Sequence, residues 1–518
     1  MVVQRQTTSY DALHDEVYAS SQKTLESGGA LVSIVVPAYN AGAYLRETVE
    51  SIVLDAYPYR EIIVVNDGST DDTPAIAQEL ATKYPEIQVL HQQNAGVCRA
   101  RNFGISKAQG KYILPIDADD ILLPGFIKWA VDVMESDTEV KCCIPKAVFC
   151  GERDGKWHLQ PYSKELLARK NMIPASALYR RSDWEAVGGY FEGIQAREDW
   201  EFWISLLKNG GEVVTSPEVY LKYRIHASSK RIADRELKYK VIDALNERHP
   251  EFFQRVLGGP LCYRRSWSRQ INRLHNLIRY QHLNTNVAYT DCSDFFRAMP
   301  AIFRTNRGEI IYNRRNQLRR MSFSGHTFVV KAYHRPHVIN QIIYSLFRPT
   351  KAKRAYDYAA LLREKGIGSP EPVAYYTERL FGLFLTKSYF VSLNSALPFT
   401  YNDIIAEKFD ITEEREYLTA IAETTARLHE AGIVHLDYSR GNILLGKGTD
   451  GQVLVELIDL NRLRFHQVDL DEGCKNFAER LPANDRQRRI MAEVYAKIRH
   501  FDADECFRLM EKYNKEIR

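Results

Sequence analysis

A chain of 518 residues exceeds the size at which one hydrophobic core keeps growing, so two or three domains are expected. Its 45% hydrophobic content lies in short runs and its formal net charge is only +4. That excludes nucleic acid as an expected partner, and no stretch approaches the roughly 20 apolar residues needed to span a bilayer.

The start, residues 1–29, mixes polar residues with acids and lacks the basic-then-apolar layout of a secretory signal. It reads as an N-terminal helical arm on a cytoplasmic protein. The eight cysteines show no Cys-x-x-Cys spacing, and Cys142 and Cys143 are adjacent. Reduced thiols are expected, not a disulfide framework or a zinc site.

From Leu31 onward, short apolar runs alternate with helical patterns. Strands are predicted at Leu31 to Val36, Glu61 to Val65, Ile87 to Leu90 and Tyr112 to Ile116. Helices are predicted at Ala43 to Leu54, Asp72 to Tyr84 and Val97 to Ala108. Such alternation predicts an α/β domain, 30–240, with a mostly parallel sheet whose ligands gather beyond the carboxyl ends of the strands. Ala38-Tyr39-Asn40, Asp67-Gly68-Ser69 and Asp117 to Asp120 all fall there.

Residues 241–305 read as a basic helical connector, with Tyr263-Arg264-Arg265 and an apolar stripe of Trp267, Ile271, Leu274 and Ile278. Its polar side is either a solvated face or a contact with the inner membrane surface. Beyond it, Phe328 to Ala332 is predicted as a strand carrying Lys331, Ala352 to Lys365 as a helix, Leu383 to Lys387 as a strand and Glu413 to Ala431 as a long helix. This is the element order of a two-lobed, α+β kinase-like domain, placed at 306–518.

A nucleoside diphosphate leaving group carries concentrated negative charge, so its departure needs a divalent cation held by carboxylate oxygens. Asp117 and Asp119, just past a strand, suit that need, although Asp117-Ala118-Asp119-Asp120 taken alone is equally a solvated turn. Its company decides. Ser33 to Asn40, Val64 to Asp71, Asn94-Ala95-Gly96 with Ala100 to Gly104, and Ile116 to Asp120 follow one another in order.

This series resembles glycosyltransferase family 2, the inverting A-type fold, over about Leu31 to Ser229. The resemblance implies a nucleotide sugar, expected to be UDP-linked, contacted by Pro37, Tyr39, Asn40, Asp67, Arg101 and Asp117. It implies Mg2+ or Mn2+ held by Asp119 with His226. Arg197-Glu198-Asp199-Trp200-Glu201 matches the family's late acidic motif. Asp199 is expected to be the base that takes the acceptor proton, with Glu198 as runner-up. Acids that open a helix also complement its dipole, and Trp200 and Trp203 also fit a plain core.

His435-Leu436-Asp437-Tyr438-Ser439-Arg440-Gly441-Asn442 followed by Ile458-Asp459-Leu460-Asn461 spells the catalytic core of a phosphotransferase. Lys331 is assigned to the ATP phosphates, Asp437 to the attacking hydroxyl, and Asn442 and Asp459 to the Mg2+ that accompanies ATP. His435 is expected to brace the loop. Asp357 is expected to pair with Lys331, with Glu364 as the alternative.

Asp459-Leu460-Asn461 in place of Asp-Phe-Gly, Ser439 where protein kinases place a lysine, and a single glycine, Gly325, in the turn before Lys331 disfavour a protein substrate. Arg348 to Tyr356, Gly366 to Pro372 and His435 to Leu445 resemble the lipopolysaccharide kinase family over about Glu309 to Phe465. The combined expectation is a bifunctional enzyme of bacterial lipopolysaccharide or surface-glycan assembly. It would transfer a hexose with inversion and phosphorylate a sugar hydroxyl, on a lipopolysaccharide core or lipid-linked acceptor. Two rivals are a non-catalytic kinase-shaped module and a small-molecule phosphotransferase.

Overall fold

The computed structural model describes residues 29–194, 196–226, 234–305, 307–314 and 316–515, so the expected arm lies outside the described residues apart from Gly29. The chain divides into two compact units, Met1–Asn272 and Arg273–Arg518.

In the first unit the order is β1 (Val32–Ala38), α1 (Leu45–Val53), β2 (Arg60–Asp67), α2 (Thr73–Lys83), β3 (Ile87–Gln92), α3 (Val97–Lys107), β4 (Tyr112–Pro115) and β5 (Ile121–Leu122). There follow α4 (Phe126–Ser136), β6 (Val140–Gly151), β7 (Gly155–Trp157), α5 (Lys164–Leu167), β8 (Leu178–Arg180), α6 (Arg181–Val187), α7 (Glu198–Leu207), β9 (Glu212–Ile225), α8 (Asp234–Arg248), α9 (Pro250–Leu257) and α10 (Ser268–Ile278), whose last residues belong to the second unit. The strands form one sheet in the order β3-β2-β1-β4-β8-β6-β9-β5, with β7 beside β6. The β3-β2-β1-β4 half is parallel, as the alternating pattern predicts. Antiparallel β8 then joins β4 to β6.

Side-chain alternation explains why the strands read as unbroken apolar runs. Val32, Ile34 and Val36 face a core completed by Leu45, Val49 and Ile52 of α1 and Phe126, Ile127 and Ala130 of α4. Val35, Ile63, Val65 and Ile113 face the opposite core, with Ile105, Trp200, Trp203 and the α8–α9 residues Leu245, Phe252 and Phe253. A strand covered on both sides needs no polar face. Gly104 lets α3 approach closely: a Cβ there would stand 2.6 Å from the Val35 side chain and 2.9 Å from that of Val65. Gly104→Ala is therefore expected to cost about 1–3 kcal/mol by overpacking, measurable as a lowered urea midpoint; an unchanged midpoint would contradict this packing.

The second unit contains β10 (Arg279–Thr285), α11 (Ser293–Arg297), α12 (Met299–Arg304), β11 (Glu309–Asn313), β12 (Asn316–Phe323), β13 (His326–Tyr333), α13 (Val338–Leu346), α14 (Lys351–Glu364), β14 (Pro372–Leu380) and β15 (Phe384–Leu393). Its remaining elements are β16 (Phe399–Thr400), α15 (Tyr401–Ile405), α16 (Ile411–Glu430), β17 (Ile433–His435), β18 (Ile443–Lys447), β19 (Val453–Leu457), β20 (Leu463–Phe465), α17 (Leu470–Ala478), α18 (Asp485–Arg499) and α19 (Ala503–Lys515). A six-stranded antiparallel sheet, β10-β14-β15-β13-β12-β11, makes one lobe. The other is a helical lobe whose core joins Leu418, Ile421 and Ala422 of α16 to Met491 and Tyr495 of α18 and Phe477 of α17.

The structure divides the segment read as a connector. Val241, Leu245, Phe252 and Leu257 are core residues of the first unit, whereas β10 is a strand of the second unit's sheet and Phe295, Phe296 and Met299 enter its core. Within α10 the expected apolar stripe does not pack as a stripe. Ser268 and Asn272 are the buried residues, and Leu274 is 61% exposed. Asn272 donates to the carbonyls of Leu257 and Pro260, so hydrogen bonding positions the start of this helix.

Candidate functional site

Three loops at the carboxyl ends of β1, β2 and β4 build the first site. Asn40 leaves β1 with φ of +49°, a conformation that asparagine tolerates. Its amide oxygen accepts from the Thr70 N–H at 2.8 Å, and its own N–H donates to Ser69 Oγ at 3.0 Å, so the β1 and β2 loops are laced together. Tyr39 beside it is 52% exposed, a ring face open to a base or sugar.

Asp67 is buried and already engaged. Its carboxylate accepts from Gln92 Nε2 at 2.6 Å and from the N–H groups of Ala95 and Gly96 at 2.9 Å each. It shapes the loop after β3, and only its residual acceptor capacity is left for a nucleotide. Gly68 follows with φ of +70°, and a Cβ there would come within 2.6 Å of Asn94 N, so only glycine fits this turn.

Arg101 is fully buried and donates to Asp117 Oδ1 at 2.6 Å and to Glu198 Oε1 at 3.0 Å. Burial opposes its charge, but these two carboxylates outweigh that and hold its pKa well above the usual value. The geometry makes it a strut between the β4 loop and the start of α7 rather than an exposed ligand of the nucleotide. The same bond occupies Glu198.

Asp119 Oδ2 stands 2.8 Å from His226 Nε2, and Tyr44 stacks on the imidazole at 5.1 Å. Neighbouring donors around a cation with bonds of about 2.0–2.2 Å lie about 3 Å apart, so one carboxylate and one imidazole here fit two adjacent positions of an Mg2+ or Mn2+ shell. Among the described residues no group of three or more His, Cys, Asp or Glu side chains is placed to hold a metal ion. Burial, then the neighbouring Asp117, raise the Asp119 pKa. A bound cation would reverse that. Arg224 secures the loop, its Nε donating to the Asp119 carbonyl at 2.8 Å and its N–H to Asp120 Oδ1 at 3.1 Å.

Asp199, in the first turn of α7, accepts from Asn171 Nδ2 at 2.6 Å and from the Trp200 N–H at 2.9 Å. Burial first, and then Glu198, push its pKa up to about 6. That places a carboxylate base near its useful range at neutral pH. Trp200 and Trp203 are fully buried core, and the Trp200 indole N–H donates to the Leu167 carbonyl at 2.7 Å. Asn171 carries no motif and was invisible to sequence reasoning. Asn171→Ala removes a hydrogen bond that favours the ionised form, so the acid limb of the rate profile is expected to move to higher pH; an unmoved limb would separate Asn171 from the base.

In the second unit, Lys331 on β13 makes an ion pair with Asp459 Oδ1 at 2.7 Å. This corrects the expected pairing. Asp357 instead pairs with Lys353 at 2.8 Å, one turn away on the same helix, and Glu364 is exposed. The cause is the face that α14 turns inward, where small residues, Ala352, Ala355 and Ala359, are buried and no acid is presented. Lys351, half-buried at the start of α14, has its pKa lowered by burial and then by Arg462 and Arg354, with Asp459 and Lys331 also among its neighbours. It is a second cation at the expected phosphate site, which sequence reasoning did not single out.

Asp459 itself adopts φ of +58°, and its Oδ1 accepts a further hydrogen bond from Asn461. His435 is buried, with Nε2 facing the Ile458 carbonyl at 3.0 Å and Nδ1 accepting from the Asp437 N–H at 3.1 Å, so it braces both halves of the site. Asn442 Nδ2 donates to the Asp437 carbonyl at 2.8 Å, which leaves its amide oxygen for a cation, and Ile458 N–H donates to the Asn442 carbonyl at 3.0 Å. Asn442 and Asp459 each carry side-chain oxygen of the hard kind that Mg2+ takes. Asp437 Oδ1 is held by Arg480 at 2.5 Å, an arginine with no motif to betray it.

Register also separates Lys331 from the single-glycine turn. Lys331 pairs with Leu318, near the start of β12, whereas Ser324-Gly325 precedes the opposite end of β13. Five residues of strand make that distance about 17 Å. The exposed Arg314 follows β11.

The glycosyl transferase family 2 model matches residues 33–196. TuaG of Bacillus subtilis strain 168, described as a teichuronic acid biosynthesis glycosyltransferase, is 31% identical over 213 residues, which span 38% of this chain and 79% of that protein. The chain belongs to glycosyl transferase family 2. The lipopolysaccharide kinase (Kdo/WaaP) family model matches residues 303–479, so this family 2 member carries a kinase-family region behind its glycosyltransferase region. The uncharacterised glycosyltransferase YibD of Escherichia coli strain K12 is 39% identical over 132 residues, covering 25% of this chain and only 38% of YibD. A solved structure of WaaP in complex with acyl carrier protein aligns at 16% identity with a TM-score of 0.33, over 46% of this chain and 99% of that one.

Proposed function

We propose that this protein is a bifunctional enzyme of bacterial surface-glycan assembly, inverting glycosyl transfer in its first unit and ATP-dependent sugar phosphorylation in its second. In the first reaction an acceptor hydroxyl oxygen attacks the anomeric carbon of a nucleotide sugar. The bond to the nucleoside diphosphate breaks, and the hydroxyl proton passes to Asp199. Tyr39, Asn40 and Asp117 surround the nucleotide, and Asp119 with His226 would hold Mg2+ or Mn2+, which supplies charge neutralisation for the departing diphosphate.

In the second reaction a sugar hydroxyl attacks the γ-phosphorus of ATP, the bond to ADP breaks, and Asp437 takes the proton. Lys331 and Lys351 face the phosphates, while Asn442 and Asp459 would hold the Mg2+ that accompanies ATP. The observation that carries this reading is the joint placement of Lys331 against Asp459 with Asp437 and Asn442 on the bonded loop beside it. A mere binding scaffold has no physical need for a base and two cation positions.

The test incubates the full chain with UDP-hexoses, ATP and core oligosaccharide and follows UDP and ADP release. Both are expected; a protein that releases UDP but never consumes ATP would favour the non-catalytic module. ATP consumption on small alcohols or amines in preference to glycan would favour the small-molecule phosphotransferase.

No helix among the described residues is long and apolar enough to cross a membrane. A peripheral contact is proposed through α13, which buries Gln341 while leaving Val338, Ile339, Leu346 and Phe347 exposed, Phe347 by 81%. Arg335 and Arg348 flank it, and no acid occurs from His334 to Tyr356, the pattern of an interfacial helix on an anionic surface. Ile339→Glu with Phe347→Glu is expected to reduce sedimentation with phosphatidylglycerol-containing vesicles; equal sedimentation would remove α13 from that role.

A further inference from the structure

Beside the proposed base lies a cleft of about 550 Å³ that no reading above uses. Five of its nine lining residues are lysine or arginine, namely Arg169, Lys170, Lys238, Arg264 and Arg265, and none is acidic. Among the described residues none of the five has a carboxylate partner. Five unpaired cations around one concavity repel one another, and an anion relieves that.

Two covalent neighbours connect the cleft to the chemistry. Lys170 precedes Asn171, whose amide holds Asp199 at 2.6 Å. Arg265 lies with its guanidinium 5.5 Å from the centre of the Trp200 ring, and Trp200 follows Asp199. Burial, and then Arg197, lower the Arg265 pKa, as expected of a cation kept from water without a counter-ion. Trp267 is 60% exposed on the cleft wall, an aromatic face of the kind on which a sugar ring stacks.

We infer that this cleft is an acceptor subsite for a sugar bearing a phosphomonoester, with the phosphate among Lys170, Arg264 and Arg265 and the sugar ring on Trp267. The inference rests on the glycosyltransferase reading of the first unit. It also sets an order: an ATP-dependent phosphorylation of a sugar hydroxyl, the reaction proposed for the second unit, supplies the acceptor that the first unit glycosylates. Arginine forks and a lysine suit phosphate oxygens, and the volume is that of a small-ligand pocket.

The test is calorimetric titration of the full chain with glucose 6-phosphate, glucose and inorganic phosphate, and separately with UDP. Glucose 6-phosphate is expected to bind about tenfold or more tightly than either other probe, and Lys170→Gln with Arg264→Gln to abolish that preference while UDP affinity stays unchanged. Equal binding of glucose and glucose 6-phosphate, an unaltered double variant, or displacement of glucose 6-phosphate by UDP would each overturn the inference. Inorganic phosphate matching the sugar phosphate would show an anion hole without a sugar site and overturn it too. Phosphatidylglycerol vesicles whose binding falls in the same double variant, with no preference for the sugar phosphate, would assign the cleft to a lipid headgroup instead. A wild-type chain that binds glucose 6-phosphate but not UDP would defeat the glycosyltransferase reading, not the subsite.

Discussion

Asp437→Asn is expected to lower phosphate transfer to a sugar hydroxyl by about 10²–10⁴-fold, the usual worth of a positioned general base, with glycosyl transfer unchanged. The substitution is nearly isosteric. The loop around it is held by backbone groups that the change leaves alone: the Asp437 carbonyl still accepts from Asn442, and the Asp437 N–H still donates to His435. What disappears is the proton acceptor and the charge that Arg480 faces at 2.5 Å. ATP affinity should remain, because the change leaves Lys331, Lys351, Asn442 and Asp459 in place. Undiminished ADP release in the presence of glycan would exclude Asp437 as the base. Loss of ATP binding together with turnover would mean that the loop had been disordered.

Asp199→Asn is expected to remove glycosyl transfer by a similar factor, about 10²–10⁴, while donor binding persists. Because the folded-state pKa of Asp199 is raised to about 6, kcat/KM of the wild type should fall as pH drops through about 6. Stability runs the other way. A raised carboxyl pKa means the folded chain binds its proton more tightly than the unfolded chain, so this group's stabilising contribution is full below the unfolded value and is lost as pH rises through about 6. The asparagine variant should therefore melt no lower than the wild type at pH 7.

Glu198→Gln makes the contrast. It weakens the Arg101 strut that joins Asp117 to α7, so it should lower stability. Retained transfer in Asp199→Asn together with lost transfer in a still-folded Glu198→Gln would exchange the two roles.

How much of this was legible from the chain depended on how local the cause was. Strands β1 to β4 and helices α1 to α3 lie where the apolar periodicity puts them, because each is decided by its own side chains and buried on both faces of one sheet. The motifs that contain Asp119, Asp437, Asn442 and Asp459 were equally visible, since they are short contiguous runs. Long-range partners were not. Asn171 meets Asp199 across 28 positions, and Arg480 meets Asp437 across 43. No local pattern encodes either meeting. The stripe in α10 misled because its helical spacing is real, yet Asn272 and Ser268 supply the contacts that seat its first turns.

By itself, then, the sequence determined two sets of motifs and the order of elements that carries them, because periodicity and turn chemistry act within a few residues. Only the tertiary structure decided which partners those motif residues meet. Arg101 became a strut because two carboxylates from distant segments close on it. Lys331 turned to Asp459 because the inward face of α14 is apolar, three alanines and Leu362, and presents no acid. Five cations from three segments became one cleft because the chain folds α5, α8 and the Tyr263–Trp267 stretch around a common space beside Asp199.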